Sequence, residues 1–220
     1  MRAGEAGPFA PALQRPRWRG WLHGVAFLIS LPAGVVLCVA AGSPSARIAA
    51  AVYAVTLSAV FGVSAAFHLG AWSPPVLLRM SRLDRAMIYL LIAGTFTPVS
   101  LLGLRPGWAL AVLAIMWAGA VAGAAVALAW RHLRSLGFAL YLVPGWPVGL
   151  LVLPRVLDAV HRPGLALLAA GGVVYTAGAI MLVCHWPDPS PRVFGYHEVW
   201  HALTIVAASC HWTAIWFLVR

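Results

Sequence analysis

Charge is what this sequence has least of. Only 9% of its 220 residues are Asp, Glu, Lys or Arg, against about 25% in an average soluble domain. That deficit excludes a large soluble core, because too few charged groups remain to cover a water-facing surface. Acids are scarcer still, with five in the whole chain, and lysine is absent, so that all fifteen cations are arginine. Cysteine is limited to Cys38, Cys184 and Cys210. They lie in apolar runs without CxxC spacing and read as small buried apolar side chains rather than as a metal or redox motif. No internal repeat and no sign of a second domain is present. The first apolar run is a full span with no small-residue cleavage site after it, so a cleaved secretory leader is not expected.

What the sequence has instead is apolar length. Hydrophobic residues make up 62% of the chain, in runs that approach the roughly 20 residues needed to cross a bilayer. Seven such runs are expected to be membrane helices: about 20–41, 47–69, 84–103, 107–129, 134–153, 164–184 and 199–219. The fifth is interrupted by Pro144 and Pro147. The expected fold is therefore an all-α integral membrane protein, a seven-transmembrane-helix bundle in one domain over 20–220, preceded by a disordered cytoplasmic tail over 1–19 that is rich in Pro, Ala and Arg.

The net charge of +10 does not point to nucleic acid, because the arginines sit in short loops between spans. Ten of them (Arg2, Arg15, Arg17, Arg19, Arg79, Arg82, Arg85, Arg131, Arg134 and Arg192) fall on one side of the expected membrane, and five (Arg47, Arg105, Arg155, Arg162 and Arg220) on the other. The positive-inside bias then puts the N-terminus in the cytoplasm and the C-terminus outside.

Polar groups inside the spans are few. The last span opens Phe194-Gly195-Tyr196-His197-Glu198-Val199-Trp200-His201. His197 and His201 are at i and i+4, on one helix face and one turn apart, a spacing from which both can reach one metal ion. Span two ends Ser64-Ala65-Ala66-Phe67-His68, again i and i+4. Span three opens Leu83-Asp84-Arg85 after a loop over Gly70–Ser81; Asp84 is either a helix N-cap or a carboxylate brought to the end where His68 lies. Gly94-Thr95-Phe96-Thr97-Pro98 is expected to kink or loosen that helix. His23, near the start of span one, is a ligand, a partner of a ligand or a headgroup-level polar residue. His185, at the end of span six, is a rival ligand. His132 and His161 read as solvated loop residues.

The topology makes these residues converge. Span two ends, and spans three and seven begin, on the cytoplasmic side, so His68, Asp84, His197 and His201 share one depth. Ionisable groups there usually face the bundle interior. Three imidazoles with an open position have the composition of a catalytic zinc site, in which the metal makes hydroxide available near neutral pH. Asp84 is placed to take or orient the proton, and Ser64 to hold an oxygen. His211 lies about 15 Å deeper and roughly 280° around the helix from His201, so it cannot bind the same ion; it lines a cavity or pairs with a backbone carbonyl or hydroxyl. The string His197-Glu198-x-x-His201 matches the zincin signature with Glu198 as base, but no soluble catalytic domain or peptide groove accompanies it.

Taken together, Ser64-x-x-x-His68, Leu83-Asp84-Arg85 running to Gly94-Thr95-Phe96-Thr97-Pro98, Gly171-Gly172-x-x-Tyr175-x-x-Gly178 and Phe194-Gly195-Tyr196-His197-Glu198-x-x-His201 with His211-Trp212 make the chain resemble the hemolysin III family. That family is related to the adiponectin and progestin receptors and, more remotely, to alkaline ceramidases. The resemblance implies a seven-helix bundle with the N-terminus inside and a zinc ion held by His68, His197 and His201. It implies that Asp84 and Ser64 belong to the site, and that a lipid amide in a bacterial inner membrane is hydrolysed. A non-enzymatic reading stands beside it: a bundle that permeabilises membranes or signals, with a structural zinc whose fourth ligand is His23 or His185.

Overall fold

A computed structural model of the protein describes residues 16–129, 145–152, 154–156 and 162–220. The described residues form α1 (Trp21–Ala40), α2 (Pro44–Leu69), α3 (Pro74–Gly103), α4 (Pro106–Ala129), a shorter apolar helix α5 (Gly145–Val156), α6 (Arg162–Cys184) and α7 (Tyr196–Val219). Six of these, all but α5, are long and apolar enough to cross a membrane. The expected fifth span over 134–153 coincides with the described residues only in its second half, as α5. His132, His161 and residues 1–15 lie outside the described residues.

Helix starts follow the prolines. Pro44, Pro74 and Pro106 each stand at the head of a helix, where the missing N–H is no loss and the fixed φ favours the first turn. Ser43 caps α2 by accepting from the backbone N–H of Ala46 at 3.1 Å. The proline rule also corrects one expectation. Gly70–Ser81 is not a loop: α3 begins at Pro74 and runs for 30 residues. The Pro74-Pro75 pair, a loop signal by sequence alone, starts the helix instead. Asp84 consequently sits ten residues inside α3 (84 − 74) and is not its N-cap.

The helix continues through Pro98 to Gly103. Hydroxyls one turn on bond back to its carbonyls: Thr95 Oγ1 donates to the Leu91 carbonyl and Thr97 Oγ1 to the Ala93 carbonyl, each at 2.8 Å. Such local side-chain bonds help a helix accommodate proline where no water is at hand.

Helices adjacent in sequence pack side by side, α1 on α2, α2 on α3, α3 on α4 and α6 on α7, and α7 also touches α1, α2 and α3. These contacts bring the histidines of α7 against α1, α2 and α6. One core cluster joins α1, α2 and α7 through Leu37, Tyr53, Phe61 and Ile215. A second joins α3 to α6 through Tyr89, Val112, Met116, Val156 and Leu165. α2 and α3 approach closely at Gly94, where an added Cβ would collide with the Thr56 hydroxyl; small residues permit this approach between membrane helices. Gly94→Val is expected to cost about 1–3 kcal/mol by overpacking, read as a lower unfolding temperature in detergent relative to Gly119→Val, whose position faces open space.

Candidate metal centre

The end of the bundle where α2 finishes and α7 starts holds the polar cluster. His68 closes α2, and His197 and His201 occupy the first two turns of α7. These three residues offer one ligand atom each, all within 4.8 Å of one another. The Nε2 atoms of His68 and His197 are 3.2 Å apart. Two nitrogens at zinc–nitrogen distances of about 2.0–2.1 Å in a tetrahedral arrangement are separated by about 3.3 Å, so the pair already has the spacing of common ligands. His201 is buried, and its Nδ1 meets no hydrogen-bond partner among the described residues. A buried imidazole nitrogen in that state calls for a partner. The donor set, its spacing and this orphaned atom all fit a metal ion.

The other candidates sort themselves around this group. His23, on α1, is buried and stacks on His201 with ring centroids 3.9 Å apart and planes 14° from parallel. It lies outside the group whose ligand atoms converge. His185 follows α6 with a left-handed backbone (φ 52°) and is exposed, its ring edge-on to Tyr196 at 4.6 Å; it too is outside the convergent group. Ser64 and Asp84 are hydrogen-bonded through their side chains. Together with His23, Tyr175, Trp200 and Thr204 they line a small cavity of about 40 Å³, room enough for a water-sized group. Asp84 thus shares a cavity with His23, which stacks on His201, and is not one of the convergent ligand residues.

A larger and mostly apolar cavity of about 250 Å³ lies between α3, α5, α6 and α7. It shares Leu91, Ile92 and Tyr175 with the small cavity. His211 lines it as well, and its ring also bonds to the backbone of Leu168 on α6. Gly171 makes that approach possible, since a Cβ there would run into the imidazole Nε2. Both roles considered for His211 therefore coexist, and it takes no part in the tri-histidine group.

Glu198 is fully buried. Its Oε2 accepts from the N–H of Gly195 at 2.8 Å, and its Oε1 pairs with Arg19 Nε. The reach back to the helix N-cap is the glutamate half of a capping box. Both oxygens are occupied, and the zincin reading of this residue finds no support in the geometry. The Arg19 contact was not legible in advance, because Arg19 read only as one more charge in a basic tail. The available signal was that a rare acid in a membrane helix needs a cation from somewhere.

These features define a class: a helical membrane protein whose polar residues gather at one end of the bundle into a tri-histidine cluster. A family model described as haemolysin-III related matches residues 12–212, and the chain belongs to that family. It is 31% identical to Hemolysin-3 of Bacillus cereus over 203 residues, covering 90% of this chain and 88% of that protein. It is 26% identical to a Hemolysin-3 homolog of Bacillus subtilis, with 89% and 90% covered. Similarity extends to the Monocyte to macrophage differentiation factor of Homo sapiens, 29% identical over 77% of this chain and 70% of that protein.

Since His211 contacts α6 and not the ligand group, His211→Phe is expected to leave bound metal unchanged by elemental mass spectrometry while lowering the unfolding temperature of the detergent-purified protein.

Proposed function

We propose that the protein is a zinc-dependent hydrolase of a lipid amide or related acyl bond, with its polar site towards the cytoplasmic side of a bacterial inner membrane. The observation that carries this reading is an adjacency. His23, stacked on His201 of the tri-histidine group, lines a small cavity that also holds Asp84 and Ser64, and that cavity shares Leu91, Ile92 and Tyr175 with a 250 Å³ apolar cavity. A hydrolase of lipids needs these three parts side by side. His68, His197 and His201 would hold the zinc, which when bound supplies Lewis acidity and hydroxide near neutral pH.

The chain's own residues divide the remaining work. The Asp84 carboxylate accepts a proton from the attacking water and returns it to the departing amine nitrogen. Ser64, bonded to Asp84, fixes the direction of that carboxylate. The apolar cavity takes the acyl chain, and its shared wall brings the acyl linkage up to Asp84. His23 packs the ligand His201 from α1.

Metal analysis of the purified protein tests the first half of this reading. About one zinc per chain is expected in wild type, with loss or strong weakening in His68→Ala, His197→Ala and His201→Ala. The second half is tested with Asp84→Asn, which is expected to keep its zinc and to lose about 10²–10⁴ in kcat/KM on a lipid amide. Full activity in that variant removes Asp84 from the mechanism.

A second reading is favoured by the names of the two Bacillus relatives: membrane permeabilisation without chemistry. It is distinguished by dye leakage from vesicles that is as strong with Asp84→Asn as with wild type.

A further inference from the structure

Glu198 has no part in the chemistry above, yet it lies between two ligand histidines and is fully buried. Its partner Arg19 belongs to the turn Pro16–Gly20, which precedes α1. That turn reaches both halves of the ligand set. On the α7 side, the backbone N–H groups of Arg17 and Trp18 donate to the carbonyls of Arg192 and Val193, each at 3.1 Å, on the segment that leads into His197. Arg19 adds the ion pair to Glu198 itself. On the α2 side, Gly20 sits so close to the helix end that a Cβ there would lie 2.7 Å from the Cβ of His68. Gly20 also has a left-handed backbone, φ +86°, which side chains other than glycine's rarely tolerate. Three residues later, His23 stacks on His201.

We propose that the turn Pro16–Gly20 is an element of the metal centre, with Arg19 and Glu198 as positioning residues whose ion pair holds the α2 ligand and the two α7 ligands at one point. This rests on the metal-binding reading of the preceding section. Other roles for Glu198 make different demands. A general base leaves metal binding intact when neutralised. A carboxylate acting by its charge alone holds a cation more tightly once Arg19 is gone. A positioning pair weakens metal binding when either member is removed.

The experiment uses the full chain in detergent. Zinc affinity is measured by competition with a chromophoric chelator, and the Co²⁺-loaded protein is followed by visible absorption. The variants are Arg19→Ala, Glu198→Gln and the double substitution. Glu198→Gln keeps the size of the side chain and an oxygen for the Gly195 N–H, and Arg19 is a partly exposed turn residue, so both variants are expected to fold. Each single variant is expected to bind zinc about tenfold more weakly or worse, as for residues that orient metal ligands from behind. The double variant is expected to be no weaker than the worse single, since the pair acts as a unit. The Co²⁺ absorption bands shift in all three.

Tighter zinc in Arg19→Ala alongside weaker zinc in Glu198→Gln overturns the proposal in favour of a charge effect. Unchanged affinity and unchanged Co²⁺ bands in both overturn it too, even where the metal-free protein melts at a lower temperature, because that pattern belongs to a merely structural ion pair. Wild type that takes up neither Zn²⁺ nor Co²⁺ overturns the metal reading and the proposal with it. Wild-type binding with unaffected variants overturns the proposal alone.

Discussion

A polar side chain buried in a membrane bundle has no water to bond with, so the chain itself must supply the partner. This constraint organises the protein. Arginines near other helix ends and His211 apart, the ionisable groups of the described helices lie mostly where α2 finishes and α7 starts, and most of them make contacts there. His68 meets His197, His201 meets His23, Ser64 meets Asp84, and Glu198 meets both Gly195 and Arg19. Elsewhere the described helices are mainly apolar, and His211, set away from the cluster, bonds to a backbone on the neighbouring helix. A polar cluster at one end of an apolar bundle concentrates whatever reactivity these groups have.

Much of this was legible in the sequence, for a physical reason. Apolar length reports membrane helices directly, and six of the expected spans appear within a few residues of their expected bounds, apart from the early start of α3. The convergence of His68 with His197 and His201 is what alternation of seven spans leads one to expect, whatever ends one helix lying level with whatever begins the next, and the three do come together. Helix periodicity separated His211 from the ligand group. What alternation cannot report is contact between a helix end and the segment that precedes the first span. Arg19 and Glu198 are 179 residues apart, and no local pattern links them. The Pro74-Pro75 pair misled because proline ends one helix and starts another equally well, and only the packing of the residues after it decides which.

Glycine positions show the same division. Gly94 and Gly171 sit where two helices touch, one against Thr56 and the other against His211; in sequence Gly94 reads as part of a kink signal before Pro98 and Gly171 as part of a small-residue motif, and neither pattern names the side chain it meets. Gly20 differs in being fixed by backbone conformation and by proximity to His68 together. The same residue type thus serves packing in the middle of the bundle and chain direction at its end.

The length of α3 bears on depth. Its 30 residues span about 45 Å, whereas the hydrocarbon layer is about 30 Å thick. The surplus of about 15 Å falls on the stretch that carries Arg79 and Arg82, since cations stay among headgroups. With the surplus placed there, Asp84 would lie where hydrocarbon gives way to glycerol and headgroup, as the proposed function requires. A lipid whose tail enters the apolar cavity would meet this carboxylate at the level of its own acyl linkage, without being lifted out of its leaflet.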